Sequence, residues 1–195
     1  MQIVLIRHCV NDAVERVLCG RTLDVSLNAI GRRQAELLGA ALAEDEPVLQ
    51  CSPRRRTHET AMYIAQSCGS DPEIIPALDE IDFGEWSGRA FESLKDRDDW
   101  RRWNETRGQS RPPGGERIIE VQSRIADHFD EMRRTVPEGT VVMVSHADVI
   151  RAAVCHVLGL SPDNWQRFEI TPGSISRIAA EAEGYRLLSL NEVWL

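Results

Sequence analysis

An α/β domain, a three-layer α/β/α sandwich with a mainly parallel central sheet, is the fold class this sequence predicts. Three observations carry it. Short β-branched apolar runs alternate with stretches of helical period. The clearest runs, residues 2–6 and 140–144, are almost continuously apolar, as strands covered on both faces are. No repeat, low-complexity tract or linker interrupts the alternation. A chain of 195 residues is enough for one domain, expected to span 1–195 and to bury roughly 70% of its extended-chain surface.

The elements follow in order. Residues 2–6 hand over to Arg7 and His8, polar residues at a strand's C-terminal edge. After a loop rich in turn residues, Asn28 is placed to cap a helix whose apolar positions Ile30, Leu37, Leu38, Ala41 and Leu42 recur at helical spacing. Residues 48–51 read as a second strand, and Ser52-Pro53 as the start of a helix through Ala61, Ile64 and Ala65. A weak strand at 73–75 comes before residues 78–88. The polar, Arg-rich stretch that follows is broken by Pro112, Pro113, Gly114 and Gly115, which predicts an excursion over the active site at about 84–117. Ile118, Ile119, Ile125, Phe129 and Met132 mark a long helix. Residues 148–158 form another, closed by Gly159, and 174–180 pair with 185–190 around Glu183-Gly184.

Composition excludes several functions. Net charge is −8, so an acidic surface would repel nucleic acid and anionic membrane, and neither is expected as a partner. Lys95 is the only lysine among 23 basic residues; the rest are arginines, whose planar fork suits phosphate or carboxylate. Five scattered cysteines without a C-x-x-C pair fit neither a disulfide framework nor a zinc site. With no signal-peptide profile and no apolar stretch of about 18 residues, a cytoplasmic setting is expected.

His8 and His146 each directly follow an apolar strand, and Arg54-Arg55-Arg56 follow Ser52-Pro53. Open α/β sheets place ligands at strand C-terminal edges, so three strand exits offer two imidazoles and several guanidiniums to one site. That combination suits a tetrahedral oxyanion: a neutral imidazole attacks phosphorus while arginine forks neutralise the oxygens. Each feature alone also has a bland reading, a satisfied core histidine or a solvated helix face. His58, His128 and His156 lie inside helical patterns and read as structural.

The chain resembles the histidine phosphatases, the superfamily that includes cofactor-dependent phosphoglycerate mutases. The resemblance rests on Val4-Leu5-Ile6-Arg7-His8-Cys9, on Gly20-Arg21, Asp24, Leu27, Gly31 and Gln34-Ala35, and on Ser52-Pro53-Arg54-Arg55-Arg56 with Thr60-Ala61. It continues through residues 78–88, Pro113-Gly114-Gly115-Glu116, Val144-Ser145-His146 and Val149-Ile150-Arg151, in order along nearly the whole chain. The resemblance implies a phosphomonoesterase acting on a small phosphorylated metabolite. His8 would be the nucleophile, Arg7, Arg56 and His146 the phosphoryl clamp, and Glu80 the acid, with Asp82 and Glu85 as nearby alternatives. Arg7, Asn11, Arg21, Arg56, His146 and Ala147 would bind substrate. No metal and no cofactor are implied. Oligomeric state is left open, a homodimer included. A mutase and a non-catalytic binder of phosphorylated ligands stand as alternatives.

The sequence departs from the family after His8. Cys9 stands where glycine is usual, Val10 and Asn11 replace a Glu or Gln and a Thr or Ser, and Val14 falls where the mutases carry asparagine. Asn11 either donates to phosphate or shapes the loop with Asp12. Cys9 either lies at the phosphoryl pocket as a reactive thiolate or faces the core as a small hydrophobe. Trp100 and Trp103 either line a pocket or pack helix against sheet.

Overall fold

A computed structural model describes residues 1–43 and 46–194; Leu195, the end of the expected domain, lies outside the described residues. The strands are β1 (Gln2–Arg7), β2 (Val48–Cys51), β3 (Glu73–Ile74), β4 (Thr140–Ser145), β5 (Ile175–Glu181) and β6 (Gly184–Glu192), in the sheet order β3-β2-β4-β1-β5-β6. β1 and β2 both run parallel to β4, and β3 parallel to β2; β5 alone is reversed, pairing antiparallel with β1 and with β6.

The period of two sorts the core into two layers. Ile3 and Leu5 of β1 join Val141 and Met143 of β4 in a cluster with α5 (Ile118–Thr135) and α6 (Ala147–Leu158). Val4, Ile6, Val142 and Val144 face the other way, onto α1 (Ala29–Ala41) and α2 (Arg55–Cys68). This is the expected sandwich.

Local differences have local causes. Asn28 caps α1 as predicted, accepting from the Gly31 amide at 2.9 Å. The buried face of that helix is Gly31, Ala35, Leu38 and Leu42, and Ile30 is 65% exposed because it lies about 100° off this stripe. Helix α2 starts at Arg55, three residues later than Ser52, because Ser52 turns its hydroxyl into the site and Arg54 stays extended. The excursion holds two short helices that the sequence reading left out, α3 (Phe91–Leu94) and α4 (Asp98–Glu105). In α4, Asp98 and Asp99 occupy the first turn, where the helix dipole favours them. Among the described residues, no helix is long and apolar enough to cross a membrane.

Candidate active site

The adjacent strands β2, β4 and β1 end side by side and bring Ser52, His146 and His8 together: His8 lines a cleft, whereas Ser52 and His146 are fully buried next to it and do not line it. The His8 amide donates to the Ser145 carbonyl at 2.9 Å, tying the two histidine segments together, and the imidazole centroids lie 5.4 Å apart. His8 Nδ1 sits 2.9 Å from the Cys9 carbonyl oxygen. A carbonyl only accepts, so Nδ1 carries the proton and the Nε2 lone pair is left free. Burial, reinforced by Arg56 and Arg7, holds the His8 pKa well below the ordinary imidazole value.

His146 is fully buried. Its Nδ1 accepts from Arg56 Nη2 at 3.1 Å, so Nε2 donates to Ser52 Oγ at 2.8 Å, and the Ser52 hydroxyl donates onward to Asp79 Oδ1 at 3.3 Å. Burial first, then Arg56, keeps this imidazole neutral too. Arg56 is 2% exposed, and its Nη1 has no partner within the protein, a donor open to a ligand oxygen. Arg7 anchors through Nη1 to the Ile170 carbonyl at 2.6 Å.

Glu80 turns Oε1 to the Ile81 amide at 3.0 Å and Oε2 toward Arg56 Nη2 and His146 Nδ1, at 3.7 and 3.5 Å. Burial pushes its carboxyl up to about 7 against the opposing pull of Arg56. Of the other carboxylates weighed, Asp82 caps the Gly84 amide, and neither it nor Glu85 lines the cleft.

The cleft has a volume of about 270 Å³ and is lined by Arg7, His8, Asn11, Arg56, Glu80 and Ala147 together with an outer wall. Asn11 is buried, and its side-chain oxygen accepts from the Ala13 amide at 3.0 Å, so it both shapes the loop and faces the cleft. Ala147 opens α6, whose first-turn amides have no side-chain cap. Arg21 does not line the cleft. Its Nε donates to the Glu80 carbonyl at 2.6 Å and its Nη2 to Glu116 at 2.8 Å, so it ties the Glu80 backbone to Glu116.

Cys9 faces the core: fully buried beside Ala35 and Leu38, its thiol is pushed up to about 12 by burial. The reactive-thiolate alternative is thereby corrected. The tryptophans divide, Trp103 into the core and Trp100 onto the cleft wall. Arg107, Asp148 and Trp165 also line the wall and were not singled out from sequence. Only the arginine bias hinted at Arg107. His128 bonds Gln50 at 2.8 Å inside the core, consistent with a structural role. Among the described residues, no group of three or more His, Cys, Asp and Glu is placed to hold a metal.

Fold and cleft define an α/β protein whose strand ends gather two buried imidazoles, two arginines and a buried carboxyl around one cleft. The chain belongs to the histidine phosphatase superfamily (branch 1), which it matches over residues 3–193. It is 31% identical over 194 residues to phosphoserine phosphatase 1 of Hydrogenobacter thermophilus, covering 98% of this chain and 92% of that one. It is 33% identical over 184 residues to "Probable phosphoglycerate mutase GpmB" of Enterobacter sp. (strain 638), covering 91% and 84%. The solved structure of a mycobacterial glucosyl-3-phosphoglycerate phosphatase with VO3 superposes with a TM-score of 0.87 at 25% identity, covering 97% and 98%.

Proposed function

We propose that the chain hydrolyses a small phosphomonoester by way of a phosphohistidine on His8. The observation that carries this is the His8 tautomer: with Nδ1 committed to the Cys9 carbonyl, Nε2 is free to attack phosphorus. Arg7 and Arg56, with Asn11 and the Ala147 amide, hold the phosphoryl oxygens, while His146, its Nδ1 accepting from Arg56 and its Nε2 donating to Ser52, orients Arg56 from behind. Glu80 Oε2 gives its proton to the leaving oxygen as the ester bond breaks and Nε2–P forms. It then takes a proton from the water that breaks Nε2–P, releasing phosphate and restoring His8. Guanidiniums supply the positive field, so the reaction is metal-independent and survives EDTA. The relatives named for phosphoserine and glucosyl-3-phosphoglycerate support a small phosphorylated metabolite as substrate.

The test is brief exposure to a phosphorus-labelled aryl phosphate, followed by quench and peptide mapping. Acid-labile, base-stable label on His8, absent from His8→Ala, is the expected result; an unlabelled His8 peptide with turnover intact overturns the assignment. The mutase alternative draws on the relative named as a mutase. Supplying bisphosphoglycerate decides it: hydrolysis is expected to exceed phosphoryl exchange, and the reverse would make the chain a mutase.

A further inference from the structure

Behind the cleft runs a line of hydrogen bonds that begins on a cation and ends on a carboxylate. Arg56 Nη2 donates to His146 Nδ1 at 3.1 Å, His146 Nε2 to Ser52 Oγ at 2.8 Å, and the Ser52 hydroxyl to Asp79 Oδ1 at 3.3 Å. His146 and Ser52 are fully buried, and Arg56 and Asp79 nearly so. The line joins separate segments: Ser52 follows β2, Arg56 lies on the first turn of α2, Asp79 precedes Glu80 in the acid loop and His146 follows β4.

This line has a single permitted direction. A guanidinium only donates and a carboxylate only accepts, so the imidazole and hydroxyl between them are ordered from both ends. Ser52 has no freedom left: the Arg54 amide, at 3.4 Å, takes the second lone pair of Oγ, and the hydroxyl proton has Asp79 as its acceptor. Asp79 is itself fixed. Its Oδ1 accepts from the Glu80 amide at 2.8 Å and lies 2.9 Å from Arg54 Nε, while its Oδ2 accepts from Arg54 Nη2 at 3.1 Å. One carboxylate therefore touches the backbone of the acid directly and reaches the phosphoryl-facing arginine through two intermediaries. Arg56 Nη2 is spent on His146 and on the Gly20 carbonyl at 3.0 Å, which leaves the unpartnered Nη1 for a ligand oxygen.

We infer that Asp79 is a positioning residue which, through Ser52, holds His146 with its proton on Nε2 and its Nδ1 lone pair on Arg56. This rests on the reading of His8 as the phosphoryl acceptor and of Arg56 as a phosphoryl ligand, and it adds the group that sets their geometry from behind. The tautomer also bears on Glu80, whose Oε2 lies 3.5 Å from Nδ1. A bare Nδ1 offers the carboxylate no hydrogen bond, so the acid keeps its proton; a ring protonated at Nδ1 would donate to the carboxylate and favour its ionised form.

The experiment reads tautomer and turnover together. In protein carrying isotope-labelled histidine, long-range proton–nitrogen spectra distinguish a protonated ring nitrogen from a bare one, and His146→Gln assigns the signal. The native enzyme is expected to hold His146 in the Nε2–H form alone. Ser52→Ala removes the acceptor with little change in size. It should give both tautomers and lower kcat/KM about 10- to 100-fold for alkyl and aryl esters alike, the range for a lost hydrogen bond in a chain that ends on charged groups. It should also move the high-pH fall in alkyl-ester turnover to lower pH. Arg56, Arg7 and Asp148 also face Glu80 and remain in the variant, so that shift reports His146. In an Asp79→Asn background, Ser52→Ala should cost no more than about threefold, because both act through one chain. An Nδ1–H ring in the native enzyme overturns the inference without any variant having to fold. So does a Ser52→Ala protein that turns over at the native rate, one whose tautomer and pH profile stay native, or full additivity of the two substitutions. p-Nitrophenyl phosphate separates this from the parent reading: a native enzyme that does not hydrolyse it ends the phosphatase assignment, whereas hydrolysis together with any of those results ends the positioning role alone.

Discussion

Glu80 Oε2 stands 3.5 Å from His146 Nδ1, and burial moves the two groups in opposite directions, the carboxyl up to about 7 and the imidazole well below its ordinary value. Below about pH 7 the pair is therefore an acid holding its proton beside a neutral base. Transfer to a poor leaving group needs Glu80 protonated, so kcat/KM for alkyl phosphates should fall about tenfold per pH unit above about 7. The acidic limb from His8 lies well below 6.5, because its imidazole is already neutral there. Rate profiles for an alkyl ester in the native enzyme and in Glu80→Gln test this; a basic limb that persists in the variant belongs to another group.

Removing the Glu80 proton donor should separate substrates by leaving group. Glu80→Gln is expected to slow alkyl esters by roughly 10²–10⁴ at the phosphoryl-transfer step and activated aryl esters far less. The same substitution should stabilise the fold. With its pKa raised in the native state, Glu80 favours folding most below the unfolded value near 4.5, and that contribution is lost as pH rises through about 7. Above that range the charged carboxylate costs on the order of 3 kcal/mol. Glu80→Gln should thus raise Tm by several degrees at pH 8 and by much less at pH 4. Equal Tm changes at both pH values would contradict the assigned burial cost.

The strands, the helix faces and the strand-end histidines were legible because burial imposes a period of 2 or 3.6 on the sequence. His8, Arg56, Glu80 and His146 could be placed together because their motifs occur in order along the chain. Polar residues on irregular segments carry no such period. Arg107 and Asp148, 41 residues apart, meet at 2.7 Å only because the excursion folds back over α6. The contacts of Arg21 were hidden for a similar reason: its motif was visible, but its partners Glu80 and Glu116 lie in two distant loops. Trp100 and Trp103 project about 60° apart on α4, enough to send one to the cleft and the other to the core.

Cys9 should behave as a packing residue. Fully buried, with its thiol pushed up to about 12, it is expected to resist iodoacetamide in the native enzyme, while the half-buried, cleft-lining Cys19 reacts first. Cys9→Gly should keep turnover but lower stability by about 1–2 kcal/mol, a few degrees in Tm, through the lost apolar contact and added chain freedom. Peptide mapping after alkylation and a thermal melt check both; early labelling of Cys9 would return it to the cleft.

The acid loop is held from outside the cleft, and this predicts a positioning role for Arg124. From α5, its Nη2 donates to the Asp79 carbonyl at 2.7 Å, its Nε to Glu116 at 3.0 Å and its Nη1 to the Ala77 carbonyl. Glu116 also binds Arg21, which holds the Glu80 carbonyl, so one ion-paired brace fixes the backbone on either side of the acid. The Pro-Gly-Gly-Glu turn approaches closely enough to complete it: a Cβ on Gly115 would come within 2.3 Å of the Asp82 carbonyl oxygen. Arg124→Met should therefore lower kcat for alkyl esters about tenfold with little change in KM, because Glu80 loses its aim while the phosphoryl clamp stays intact. Activated aryl esters should be affected much less, and Arg124→Lys should rescue only partly, since an ammonium cannot span three acceptors as a guanidinium does. A loss equal for both ester types, or one confined to KM, would show that the brace serves folding rather than the acid.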